Sequence, residues 1–158
     1  MQKICDIYLL EDISGSSGLL KQLKIFEPKL LFEEDQFYSG FLGLSVRRIV
    51  GVAIVTHLRN NRIKSVNVPV EYKDKNLISE AEAEAVAREH AGNRDVAVRS
   101  MARKEVLTNP MYWCFQLETP DSASAMEGGG IVTVDRLDGH IWQIGETEEY
   151  MYDYNNFL

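Results

Sequence analysis

The run Ser79-Glu80-Ala81-Glu82, with the alanines that follow it, constrains this sequence more than any other stretch. A serine three residues ahead of a glutamate forms a capping box: the hydroxyl accepts the glutamate's N–H, and the carboxylate accepts the serine's own. Ala83, Val86, Ala87 and Ala91 then recur at helical spacing as a narrow apolar stripe, with Glu84 and Arg88 four apart outside it and Gly92 as a stop. The spacing predicts a helix over 79–91 whose small side chains let it lie close to a sheet.

That sheet is expected downstream. Alternating segments at about 96–104, 112–118, 131–135 and 140–144 read as antiparallel strands. For the last pair, a type I turn with Gly139 in a bulge sets Arg136 opposite His140, Val134 opposite Trp142 and Val132 opposite Ile144. That register gathers apolar side chains on one face, whereas a two-residue loop at Asp138-Gly139 mixes them with polar ones. Trp113, Phe115 and Leu117 alternate on the neighbouring strand and are expected on the same covered face.

Residues 1–75 read differently. A strand is expected over 3–10, a loop at Ser14–Gly18, and a short helix from Leu19 to Phe26 stopped before Pro28. Residues 27–44 show no clear pattern. The stretches 46–58 and 62–72 read as a β-hairpin joined at Asn60-Asn61, with Val55 opposite Val66 and Ala53 opposite Val68. The fold class is α+β: an antiparallel meander with a helix packed across it, preceded by an N-terminal segment containing a hairpin. The polar run Lys73-Asp74-Lys75-Asn76 divides the chain into segments 1–75 and 76–158.

Charge separates the two segments as well. Residues 1–75 hold eleven basic and nine acidic side chains, a net of +2, and residues 76–158 hold six and fifteen, a net of −9. From Glu105 onward, Arg136 is the only Lys or Arg against ten acids. Such a field repels nucleic acid, which requires cations to displace phosphate counterions, and it attracts a basic protein. No apolar run approaches the roughly 18 residues of a membrane span, and Asp6, Glu11 and Asp12 break up the only candidate signal sequence. Cys5 and Cys114 lie in separate apolar segments and read as buried thiols of a cytoplasmic protein.

Chemistry-bearing patterns are scarce. His57, placed near the hairpin tip, His90 in a helix's last turn and His140 beside the bulge fall in no set with metal-ligand spacing, so no metal and no cofactor is expected. Cys114 stands mid-strand with no turn to present it as a nucleophile. Gly128-Gly129-Gly130 lacks the Lys and Ser/Thr of a phosphate loop and precedes a strand rather than a helix. Catalysis is therefore not expected.

The closing run, Gly145 to Phe157, mixes three tyrosines, a methionine and a phenylalanine with four acids and no base. Its simplest reading is an amphipathic helix with Tyr150, Met151 and Tyr154 packed inward. Glu146, Glu148, Glu149 and Asp153, with Tyr152, are then candidates for a partner-binding face.

The stretch Ser79–Tyr154 resembles the YrhB-like proteins, small bacterial domains that include a heat-shock-associated chaperone and immunity proteins encoded beside polymorphic toxins. The resemblance rests on the Ala-rich helix, the aromatic strand Tyr112-Trp113-Cys114-Phe115, and the ordered set Asp135, Gly139, Ile141, Gly145, Tyr150 and Tyr154. NTF2-like immunity and PepSY-type domains share its first half. Residues 1–75 lie outside it. It implies a protein without catalysis or cofactor that binds another protein. The leading expectation is an immunity protein that neutralises a cognate bacterial toxin, or binds another basic protein, through its acidic surface. A chaperone-like holdase is the alternative, and an enzyme with a small-molecule pocket between the two segments is a remote one.

Overall fold

The computed structural model describes residues 3–74, 76–92, 96–103, 107–118 and 130–157. The expectations for Gly128, Gly129 and Lys104 lie outside the described residues.

The fold is α+β, with two antiparallel sheets and five helices among the described residues. The first sheet is built on one long strand, β1 (Ile4–Ser14), which pairs with β2 (Phe37–Phe41), β3 (Val46–Arg47) and β4 (Ser65–Pro69). Between β1 and β2 come a short helix, α1 (Gly18–Gln22), and a single 3-10 turn over Leu23–Ile25, as expected of that stretch. Between β2 and β3 the pairing is interrupted, and the buried Asp6 carboxylate fills the break. It accepts the N–H groups of Gly43 at 3.0 Å and Leu44 at 2.8 Å, and Lys73 at 3.2 Å.

The expected hairpin over 46–72 is not formed. Residues 48–60 are a helix, α2 (Arg48–Asn60), and only β4 survives of the second strand. Val66 and Val68 pair with Tyr8 and Asp6 of β1 instead of with Val55 and Ala53, and Asn61 caps the helix rather than turning a hairpin. The energetic reason is one of magnitude. A β-branched residue costs a helix only a few tenths of a kcal/mol, whereas fully burying one aliphatic side chain contributes about 1.5–3 kcal/mol. Gly51, Ile54, Val55 and Leu58, spaced i, i+3, i+4, i+7, are all buried. The last three join Ile7, Leu9 and Leu44 in the core of the first sheet. His57 consequently sits in the last turn of α2, not at a hairpin tip.

After the short helix α3 (Glu71–Asp74), the helix and first three strands of the second unit come in the expected order, the first of those strands shortened to Ala97–Ser100. Helix α4 (Glu80–Ala91) carries its capping box: Glu82 N–H donates to Ser79 Oγ at 3.2 Å, and Ser79 N–H to the Glu82 carboxylate at 2.7 Å. Gly92 ends it at φ +69°, where other residues are strained. Arg88 reaches Glu84 at 2.6 Å. Ala83 and Ala87 lie fully buried against Phe115, Leu117, Val132 and Val134 of a three-stranded sheet, formed by β5 (Ala97–Ser100), β6 (Tyr112–Glu118) and β7 (Ile131–Asp135).

The expected fourth strand, 140–144, shrinks to one bridge in a different register. Ile141, not Trp142, pairs with Val134, and Asp135 N–H donates to His140 O at 2.9 Å. Ile144 does not meet Val132; it is 81% exposed and starts the last helix, α5 (Ile144–Asn155). The cause is the turn. Asp135 Oδ1 accepts Leu137 N–H at 2.7 Å, and Gly139 N–H donates to Asp135 O at 3.0 Å, which makes the turn one residue wider in its pairing than expected. A one-residue shift sends each side chain to the other face. Trp113 and Ile141 stay with α4, but Trp142 turns to the opposite side.

That opposite side is where the two sheets meet. Val66, Val68 and Tyr72 of the first segment are buried with Met111 and Tyr150 of the second, and Trp142, Met151 and Tyr154 pack around them.

Helix α5 and the cleft beside it

Helix α5 is anchored at both ends, by neighbours in sequence at its start and by distant residues at its end. Near its start, Gln143 N–H donates to the Glu146 carboxylate at 2.7 Å, a capping contact. The other Glu146 oxygen lies 2.9 Å from His140 Nε2, while His140 Nδ1 faces Asp138. The imidazole thus joins the β7 turn to the helix. Burial works to lower its pKa, but the hydrogen bonds to Asp138 and Glu146 outweigh burial and raise it. Glu146 is lowered, first by the Gln143 amide and then by His140. Asp138 is lowered too: burial opposes the shift, and the backbone and ring N–H groups of His140 prevail.

At its other end α5 has no basic residue of its own. Its terminal carbonyls, the negative end of the helix dipole, are met by arginines of α2. Arg59 donates to the carbonyls of Asn155 and of Asn156, the latter at 3.0 Å, and Arg48 to that of Asp153 at 3.0 Å. Inside, Tyr150 donates its hydroxyl to Asn67 O at 2.9 Å, and Asn67 N–H donates to Asn155 Oδ1, also at 2.9 Å. The last helix therefore closes the β4 side of the first sheet.

Beside α5 lies a cleft of about 280 Å³ whose lining includes Tyr72, Asp135, His140, Trp142, Glu149 and Tyr150. Asp135 is buried, and its Oδ2 accepts both the Tyr72 hydroxyl at 2.6 Å and the Trp142 indole N–H at 2.8 Å. Donor atoms of Asp135, Asp138 and His140 come within 4.8 Å of one another. Spacing alone did not suggest this grouping, and it amends the expectation that no histidine stands with acids at ligand distance. Each member already has partners within the protein, so the cluster works as a brace between turn and helix.

The five residues named from the sequence do not form one face. Glu146 is tied to His140 and Gln143. Asp153 is half-buried, with its carboxylate 3.7 Å from Arg48. Glu148, Glu149 and Tyr152 point outward and have no polar partner among the described residues. Ile144, Glu148 and Tyr152, each four apart, make an exposed row in which Ile144 and Tyr152 are 81% and 57% exposed.

Neither thiol is set up as a nucleophile. Burial pushes Cys5 up to about 12, and it also raises Cys114, which is half-buried and lies 3.7 Å from Thr133 Oγ1. His90 is exposed in the last turn of α4, as expected. No described helix is long and apolar enough to cross a membrane.

The sequence reading missed Tyr72, Trp142, Asn67, Arg48 and Arg59, which position α5. The Gln143-x-x-Glu146 spacing, a capping signal not used in that reading, marks where this helix begins. Compared with protein-family models, with curated proteins and with solved structures, the chain matches none.

Proposed function

We propose that this chain is an immunity-type binding protein, which neutralises a basic cognate toxin by covering it with the outward face of α5. The observation that carries this reading is the exposed row on α5, in which the unpartnered carboxylate of Glu148 stands between Ile144 and Tyr152, with a second unpartnered carboxylate, Glu149, beside it at the mouth of the cleft. Aromatic and aliphatic anchors beside charges that steer a partner make up the usual chemistry of a protein interface. Anchoring of α5 at both ends holds that row in one geometry before binding, which lowers the ordering cost of association. The resemblance of residues 79–154 to YrhB-like proteins points the same way, and two free thiols suit a partner met in the cytoplasm.

The holdase reading has one observation of its own. Ile25, Leu31, Phe37 and Ile49 in the first segment are exposed by 79%, 80%, 71% and 66%, and apolar surface of that kind is what a holdase offers unfolded chains.

A photo-reactive residue at position 152, introduced in the native host, tests both. The immunity reading expects one cross-linked partner with a basic surface, whose toxicity to cells is suppressed by co-expression of this chain. A spread of unrelated clients, with aggregation of a heated test protein suppressed, would favour the holdase.

A further inference from the structure

A second hollow lies at the C-terminal end of α5. It measures about 430 Å³, within the range of small-molecule pockets, and its walls are Leu10, Ile63, Val66, Met151 and Phe157. Around these apolar walls stand Arg59, Arg62 and Lys64, and no carboxylate is among the described lining residues. Glu11 accepts the backbone N–H of Lys64 at 3.0 Å but is not one of them.

The three cations are not equivalent. Arg59 is occupied by the α5 carbonyls and stacks over Phe157 at 4.9 Å. The side chains of Arg62 and Lys64 are exposed and have no partner among the described residues. Ser65, also on the wall, has a hydroxyl oxygen shielded from solvent with no hydrogen-bond partner among the described residues, an arrangement that costs stability unless something satisfies it. In a chain of net charge −7, two unpaired cations over an apolar hollow mark a local reversal of sign.

Leu10, Val66 and Met151 also line a separate hollow of about 420 Å³ together with Leu107 and Tyr112. Apolar walls below two free cations suit a ligand with an apolar chain and one anionic end.

We propose that this groove binds an aliphatic carboxylate, with its chain along Leu10, Val66 and Met151 and its charge met by Arg62 and Lys64. This proposal does not rest on a protein partner binding the acidic residues of α5.

The test is a methyl NMR titration of the full chain with sodium decanoate below its micelle concentration. Decanol serves as the uncharged arm, and R62E/K64E as the variant. Both substituted side chains are exposed, and unchanged spectra elsewhere would show that the variant's fold is intact. The expected result is saturable shifts confined to the Leu10, Ile63, Val66 and Met151 methyls. Decanoate should bind at least about fivefold more tightly than decanol, and R62E/K64E should abolish that margin. Failure to saturate by about 1 mM, shifts centred elsewhere, or equal affinity for the acid and the alcohol would each overturn the proposal.

Discussion

Tyr72 donates its hydroxyl to Asp135 at 2.6 Å across 63 residues of sequence, and both side chains are buried. The same carboxylate oxygen accepts Trp142, and the other oxygen holds Leu137 N–H in the turn. One carboxylate thus ties the first segment, the β7 turn and the start of α5 together. Burial, and then the neighbouring Asp135, keep Tyr72 protonated far above its ordinary range.

Removing that carboxylate leaves three donors without their acceptor, the buried Tyr72 hydroxyl and the half-buried Trp142 indole and Leu137 N–H, each worth at most about 1–3 kcal/mol. Asp135→Ala should therefore cost about 3–5 kcal/mol of folding stability in urea denaturation. Tyr72→Phe deletes only one of three bonds to the acid and should cost about 1.5–3 kcal/mol. A loss below about 0.5 kcal/mol for Asp135→Ala would mean that the carboxylate does not join these elements.

The His140 brace gives stability a pH dependence whose sign follows from its shifts. His140 is raised above 6.5, so its contribution is complete below that pH and is lost as pH rises through the folded value. Asp138 and Glu146 are lowered from 3.8 and 4.5, so theirs is present above those values and is lost on acidification. Asp135 and Glu149 share the cleft and add negative charge that favours the imidazolium. Between about pH 6.5 and 8, wild-type stability should decline relative to His140→Gln in parallel denaturation series. The difference should be small, because the brace is largely at the surface. Parallel profiles for the two proteins would exclude the brace.

Gly51 tests the contact between α2 and the first sheet. A Cβ there would stand 2.2 Å from Asn67 Oδ1. The amide cannot simply swing away, because its Nδ2 donates to Arg48 O at 3.1 Å and to Tyr154 O at 3.0 Å. Gly51→Ala should cost about 2–3 kcal/mol through this overpacking, despite alanine's better helix propensity. A stabilised variant in thermal denaturation would show that α2 has room to move.

For the partner-binding reading, reversing Glu148 and Glu149 to lysine should slow association with the co-purified partner by about tenfold or more at low salt. The deficit should narrow as salt screens the charges. Circular dichroism should be unchanged, since neither side chain has a partner among the described residues. An unaltered on-rate would leave the two acids as ordinary solvated surface.

How much was legible depended on how local the cause was. Ser79, Glu82, the alanine stripe and Gly92 encode α4 within fourteen residues of sequence, and that helix forms as read. Helix α2 carried two competing signals. The β-branched run Ile49–Val55 suggested a strand, while Gly51, Ile54, Val55 and Leu58 kept helical time, and the first sheet's need for an apolar cover decided between them. The register after β7 hinged on one side chain, Asp135, bonding to its own turn, which alternation of apolar residues does not reveal. Tyr152 and Glu148 were placed on an outward face correctly. Asp153 also reaches the surface, but its pairing with Arg48, 105 residues away, is a relation that local spacing does not reveal.

The bonds between Asn67 and α5 also set an order of events during synthesis. Asn67 leaves the ribosome 88 residues ahead of Asn155, whose side chain accepts its N–H. Throughout that interval β4 has an unclosed edge, the kind of surface that recruits a stray strand. The first sheet is closed only once α5 has emerged, and a nascent chain stalled before that helix exposes it to its neighbours.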